Sequence, residues 1–262
     1  MELYFLVGCL GLVSGFLAGL LGIGGGIVMA PLLLYVPQLF GFEPFNMQTV
    51  AGITIVQGLL ACITGALTHH QIRMVSVKLS LYMGVSIFMA AMMGGIVSKI
   101  VSNEILLFLF ACLAMSSAIL VLIPVREDSE FPDVEELVFC RWCAVVVASI
   151  VGLLGGLVGQ GGSFILIPLM IYFVRIPTRI SIGSNLAIVL FSTTAGFIGK
   201  AITGQIAWLL SVPVAVSVIP ATYAGGMLSR KVPVRKIRII LAFVIALAAG
   251  WIWYSLLLNS SD

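Results

Sequence analysis

The sequence predicts an all-α, polytopic membrane protein made of two inverted repeats, each a broken first segment followed by three transmembrane helices. Three observations carry that expectation. The 262-residue chain is 61% hydrophobic and only 9% charged, a balance foreign to soluble domains of this size. Apolar stretches near or above the ~20 residues of a spanning helix recur from end to end, without the ~10-residue alternating segments of a β-barrel. A glycine-rich run closed by proline occurs twice, as GIGGGIVMAPL from Gly22 and as GQGGSFILIPL from Gly159.

The first repeat, 1–125, holds an interrupted segment at 3–36 and helices near 48–69, 76–98 and 104–123. As one helix, 3–36 would run ~51 Å, too long for a ~30 Å hydrocarbon core. Gly19, Gly22, Gly24, Gly25 and Gly26, then Pro31, sit in its middle. Glycine loosens a helix and proline breaks one. The chain is therefore expected to reverse there, with a second, shorter helix starting at about Ile27. The Ile27–Tyr35 piece is too short to span alone. Gly22 and Pro31, with Gly159 and Pro168 in the second copy, are read as the structural breaks. The opening MELYFL lacks a basic region, so no cleaved signal peptide is read.

The only strongly polar stretch, REDSEFPDVEE at 126–136, reads as a solvent-exposed linker, assigned 126–140. The second repeat, 141–262, follows with an interrupted segment at 141–174 and helices near 182–203, 208–229 and 235–257. Pro31 and Pro168 match at a spacing of 137 residues. Further along, AGIT at Ala51 matches IGSN at Ile182, 131 residues on, and the same spacing pairs Gly65 with Gly196 and MGGIVSK with AGGMLSR. The duplication covers nearly the whole chain.

Basic residues orient the copies through the positive-inside tendency. Arg230, Lys231, Arg235, Lys236 and Arg238 mark a cytoplasmic loop, whereas the matching loop of the first half holds Lys99 and Glu104. Arg175 and Arg179 mark another, and its counterpart near Glu43 has no base. Conversely, Arg73 and Lys78 face a counterpart with only Lys200 nearby. The bias swaps sides, which predicts inverted topology, a cytoplasmic linker, and hairpins at 3–36 and 141–174.

All ten acidic residues fall at predicted ends or loops, so the mid-membrane carboxylates usual in pumps and cation transporters are missing. Cys9, Cys62 and Cys112 lie in apolar runs as small hydrophobes, and Cys140 and Cys143 form a lone C-x-x-C that nothing completes into a metal or redox site. No metal and no cofactor are expected. His69 and His70 end a helix and are candidates for a proton relay, although interface histidines are commoner. Lys200, near a membrane end, is expected to snorkel, with attraction of anions as a minor alternative.

A helix that starts inside the membrane leaves its first N–H groups unpaired, and these join the positive end of the helix dipole to form an anion site. Gly24, Gly25 and Gly26 would expose bare amides to a ligand; Gly161, Gly162 and Ser163 would do the same in the second copy, with Gln160 adding a side-chain amide. The competing reading is close helix packing. It is preferred for Gly11, Gly15 and Gly19 and for Gly152 and Gly156, spaced as G-x-x-x-G. Thr54 and Gln57, with Ser184 and Asn185, could donate hydrogen bonds without fixed charge, and Ser192, Thr193 and Thr194 are weaker candidates. Their competing reading is helix–helix hydrogen bonding or back-bonding to the chain.

Taken together, the G-x-G-G-G-x-x-x-x-P-x-L pattern and its echo, the AGIT and IGSN patches, and the short motifs HHQIRMV and TGQIAWL resemble the sulfite exporter TauE/SafE family, also called the anion permease family. The resemblance covers nearly the full chain. It implies a bacterial or archaeal inner-membrane protein that moves small sulfur-containing or organic anions such as sulfite, sulfoacetate or other sulfonates. The family's glycine motif falls on Gly22, Gly24, Gly25, Gly26 and Pro31, and on Gly159, Gly161, Gly162 and Pro168. In the family the short motif often carries an acidic residue after G-x-I or G-x-V, and Arg73 and Ala207 stand near those places here; if that acid serves energy coupling, a different coupling is expected in this chain.

The expectation is thus a secondary transporter of small anions, working by alternating access around paired helix starts. A passive anion channel with the same site is the alternative. An enzyme is not expected, since no nucleophile, metal cluster or acid–base pair lies in the membrane. Expected partners are a small anion and the lipid bilayer, with a homodimer left open and no nucleic acid.

Overall fold

The computed structural model describes residues 2–71, 75–122, 139–159, 162–229, 231–233 and scattered positions between 236 and 253. Most of the described residues are helical, and none lies in a strand. In chain order the helices are α1 (Glu2–Leu21), α2 (Gly26–Leu39), α3 (Met47–Gln71), α4 (Val77–Val97), α5 (Asn103–Leu122), α6 (Arg141–Val158), α7 (Ser163–Leu169), α8 (Thr178–Ile202) and α9 (Trp208–Ser229). Seven of them, all but α2 and α7, are long and apolar enough to cross a membrane. Described positions beyond residue 236 are helical as well. The linker 126–136, Arg73, Gln160 and Gly161 lie outside the described residues.

The interrupted segments break where the glycines stand. α1 stops at Leu21 and α2 starts after Gly25, whose φ is +78°. Gly22 and Gly24 also take positive φ, +70° and +62°, as do Gly159 at +80° and Gly162 at +71° in the second copy. That left-handed region is strained for any residue carrying a Cβ, so the sequence spends glycine at each bend. Pro31 and Pro168 are a correction. They lie inside α2 and α7 rather than at the breaks. Each sits one turn and a residue past the helix start, and after Pro168 the chain widens into a π-helical turn, Met170–Val174. A missing N–H and a crowding ring shift the helical register there without ending the helix.

After the first break the chain folds back along α1. A Cβ on Gly25 would lie 3.0 Å from the Ser14 carbonyl oxygen and 3.1 Å from Ala18. The Ser14 hydroxyl reaches Met29 Sδ at 3.4 Å. The second segment does likewise: Gly162 packs on Val151 of α6, and the 170–174 turn also touches α6.

The two halves interlock. α1 of the first half packs along α9 of the second, and α6 of the second along α4 of the first. Both seams are lined by glycine, as expected for G-x-x-x-G spacing. On α1, Gly11 faces Val214 and Ser217, Gly15 faces Val218 and Gly19 faces Thr222. On α6, Gly152 faces Ile87 and Gly156 faces Ala91. Rising numbers meet rising numbers, so each of these pairs runs parallel. α3 and α8 cross at the centre in the opposite sense: Gly58 meets Thr193, Gly65 meets Leu186, and Gly196 meets Ile55. These two helices are also the most buried of the seven, 61% and 67% of their spans being enclosed. The interior of the molecule is therefore the α3–α8 pair, with the two breaks set against it.

Candidate functional site

In an unbroken α-helix the N–H of residue 26 would donate to the carbonyl of residue 22, and that of 27 to that of 23. The break frees both carbonyls, and the other half of the chain takes them. Asn185 Nδ2, on α8, donates to the Gly22 carbonyl at 2.6 Å. The Ser163 hydroxyl, at the start of α7, donates to the Ile23 carbonyl. The second break is held the same way: the Thr54 hydroxyl, on α3, donates to the Gly159 carbonyl at 3.1 Å. Thr54 and Asn185 are 131 residues apart, the spacing of the repeat, so equivalent side chains latch the opposite half's break. Backbone contacts mirror this, Gly22 packing on Ile182 and Gly159 on Ala51.

The carbonyls of Gly22, Ile23 and Gly159 are satisfied, but donors at the first break are not. Gly25 and Gly162, the N-cap residues of α2 and α7, have no side chain with which to cap them, and the N–H groups of Gly26 and Ile27 find no acceptor among the described residues. Gly24, at the bend, lies beside Ser163, whose Oγ would be 3.1 Å from a Cβ there, and beside Cys62 Sγ at 3.5 Å. Gly58 on α3 and Thr193 on α8 close the same region. Gln57 packs its amide on Gly25 and donates through Nε2 to the Ser14 hydroxyl at 3.3 Å. Among the described residues, Gln57 Oε1 and Asn185 Oδ1, both acceptors, and Ser192 Oγ are buried without a partner. Buried polar atoms left unpaired are costly unless something else occupies the space.

The sequence-derived residues separate here. Gly24, Gly25, Gly26, Thr54, Gln57, Gly162, Ser163 and Asn185 gather at the two breaks. Ser184 does not: its hydroxyl accepts from the Ser76 N–H at 2.9 Å and serves the start of α4. Thr193 and Thr194 bond back to the Val189 and Leu190 carbonyls of their own helix. His69 and His70 part company, His69 fully buried with Nε2 at 3.0 Å from the Gly19 carbonyl and His70 exposed. The Cys140 thiol is exposed, accepts from the Cys143 N–H at 3.3 Å, and is held below its usual range by its hydrogen bonds with Cys143. No group of three or more potential metal ligands occurs among the described residues.

Two features escaped the sequence reading. Ser14 and Cys62 line the first break but stand alone in apolar runs, with no polar neighbour to mark them. Lys200 does not snorkel: it is fully buried, with Nζ donating to Ser98 Oγ at 2.8 Å and to Gln205 Oε1 at 3.3 Å. Its exact match to His69 at the repeat spacing of 131 was the available signal.

The model of the sulfite exporter TauE/SafE family matches residues 7–252. "Probable membrane transporter protein YunE" of Bacillus subtilis (strain 168) is 25% identical over 261 residues, spanning 91% of this chain and 93% of its own. A "Probable membrane transporter protein" of Xylella fastidiosa (strain Temecula1) is 28% identical, spanning 97% of this chain and 96% of its own. "Probable membrane transporter protein MJ0441" of Methanocaldococcus jannaschii is 24% identical and spans 90% of each chain. No solved structure matches.

Proposed function

The chain belongs to the sulfite exporter TauE/SafE family of membrane transporters, and from that premise we propose that it carries a small sulfur-containing or organic anion, such as sulfite or a sulfonate, by alternating access. The anion is held by the uncapped start of α2, with the second Nε2–H of Gln57 and the second Nδ2–H of Asn185 as further donors. The observation that supports this reading most is the crossed latch: at each break a freed carbonyl is taken by the other half, while at the first break the N–H donors of Gly26 and Ile27 stay open. Donors without fixed charge at the helix start can hold an anion and still release it.

The antiparallel crossing of α3 and α8 supports an inverted relation between the halves. In such a pair, rocking one half against the other would expose the shared site to either side in turn. The basic loop at Lys231 and the start of α6 then face the cytoplasm, the protein itself lying in the inner membrane.

The test is flux into proteoliposomes. Gly25→Leu places a side chain where Gln57 Nε2 and the Ser14 carbonyl already stand, at a φ of +78°. Sulfite or sulfonate uptake should fall at least about tenfold, the loss of one good polar contact being enough for that. Accelerated exchange by unlabelled anion on the far side should accompany wild-type uptake. Transport that survives Gly25→Leu unchanged would end the site assignment, and flux without exchange would end the alternating-access part.

A further inference from the structure

Lys200 sits in the last turn of α8 with no exposed surface. Its ammonium has three N–H groups and is met by two neutral oxygens, Ser98 Oγ and Gln205 Oε1. Ser98 in turn lies 2.8 Å from the Gly95 carbonyl and 3.1 Å from Gln205 Oε1. The other charged side chains described at this end, Glu2, Glu43, Lys99 and Glu104, are exposed, and no described carboxylate pairs with Lys200. A buried ammonium with no countercharge is costly, and a mobile anion removes that cost.

Two placements add to this. The cluster adjoins the second break, since the Gln205 backbone packs on Gly52 and Ala51 packs on Gly159. Across the repeat, Lys200 corresponds to His69, also fully buried, with Nδ1 unpartnered among the described residues. Both halves thus carry a buried nitrogen base at the end of the central helix.

We infer that Lys200, with Ser98 and Gln205, forms a second anion station beside the Gly159 break, on the route of the same small oxyanion. This rests on the anion-transport reading above. The alternative is a purely structural lysine, steadied by the carbonyl ends of α4 and α8.

The experiment uses the full-length protein and sulfite as the probe, read by the rise in melting temperature with sulfite concentration and by the KM of uptake. Lys200→Gln keeps polar donors and loses the charge, and should raise the sulfite concentration for half-maximal effect at least about tenfold; Lys200→Arg should stay within about threefold. Gln205→Glu supplies a built-in countercharge next to Nζ. It should raise the melting temperature without sulfite while weakening sulfite binding at least about tenfold, a pairing that a structural lysine does not produce. If Lys200→Gln cannot fold, Gln205→Glu alone decides. Wild-type sulfite response in Lys200→Gln or Gln205→Glu overturns the station. Loss in Asn185→Leu with full response in the Lys200 variants leaves the central site and removes the station, and the reverse pattern removes the central site. A wild-type protein that responds to neither sulfite nor ethanesulfonate overturns both.

Discussion

Asn185 and Thr54 do at residue level what neither half can do for itself. Each donates to a carbonyl that a helix break has freed in the opposite half, at 2.6 Å and 3.1 Å. Asn185→Leu and Thr54→Val remove the donor and leave a buried carbonyl unpaired, at a cost of about 1–3 kcal/mol each. Both variants should therefore melt at lower temperature in detergent, and both should lose transport more than they lose stability, because the latch also shapes the site. The double variant should be worse than either, since the two bonds belong to different breaks and share no partner. Equal transport in Asn185→Leu and wild type would show that the latch is only scaffolding. Ser184, the neighbour of Asn185, points the other way and bonds the α4 start. Ser184→Ala should accordingly spare anion binding, although IGSN as a string gives the two residues equal standing.

The elements are set by glycine in two separate roles, and substitutions tell them apart. At Gly19 and Gly156 a Cβ would run into the Thr222 and Ala91 carbonyl oxygens across the α1–α9 and α6–α4 seams. Backbone cannot retreat as a side chain can, so Gly19→Leu and Gly156→Leu should destabilise by several kcal/mol, at the upper end of overpacking effects. Gly204 has φ +73° with nothing within 4 Å, so Gly204→Ala carries only the left-handed backbone strain, about 1–2 kcal/mol. Gly8 has ordinary contacts and ordinary φ, so Gly8→Ala should be tolerated. Thermal melts of these four variants in detergent should rank in that order, and a Gly19→Leu protein as stable as Gly8→Ala would contradict the seam. The prolines follow the same logic: Pro31 lies where α2 has already started, so it reshapes a helix whose beginning the glycines determined.

The whole molecule is two halves that cannot be separated without stripping a seam from each. α1 rests on α9, and α6 on α4, so each half lends its first helix to the other. Fragments 1–125 and 126–262 expressed alone should be degraded, and expressed together should co-purify from membranes. Stable, monodisperse single halves would refute the interlock. The parallel and antiparallel pairings also fix which ends share a face. Lys99, at the end of α4, lies with the start of α9, while Lys231, at the end of α9, lies on the opposite face. Single-cysteine labelling at Lys99 and Lys231, in a protein freed of its own cysteines, should occur from opposite sides of the membrane. Labelling of both from one side would exclude the inverted arrangement.

The sequence by itself determined the membrane class, the positions of the helices and the places where they break. Those follow from composition, apolar length and the backbone freedom of glycine, all of which act over a few neighbouring residues. It also placed the glycine clusters in corresponding positions of two copies, because a duplicated string is visible without coordinates. The partnerships were decided by tertiary structure alone. Asn185 meets Gly22 across 163 residues and Thr54 meets Gly159 across 105. Lys200 is enclosed rather than snorkelling because Ser98, 102 residues earlier, and the turn at Gln205 close over it. Such contacts depend on how helices cross, and helix crossing depends on which surfaces fit at a distance along the chain, a property that no local window of residues contains.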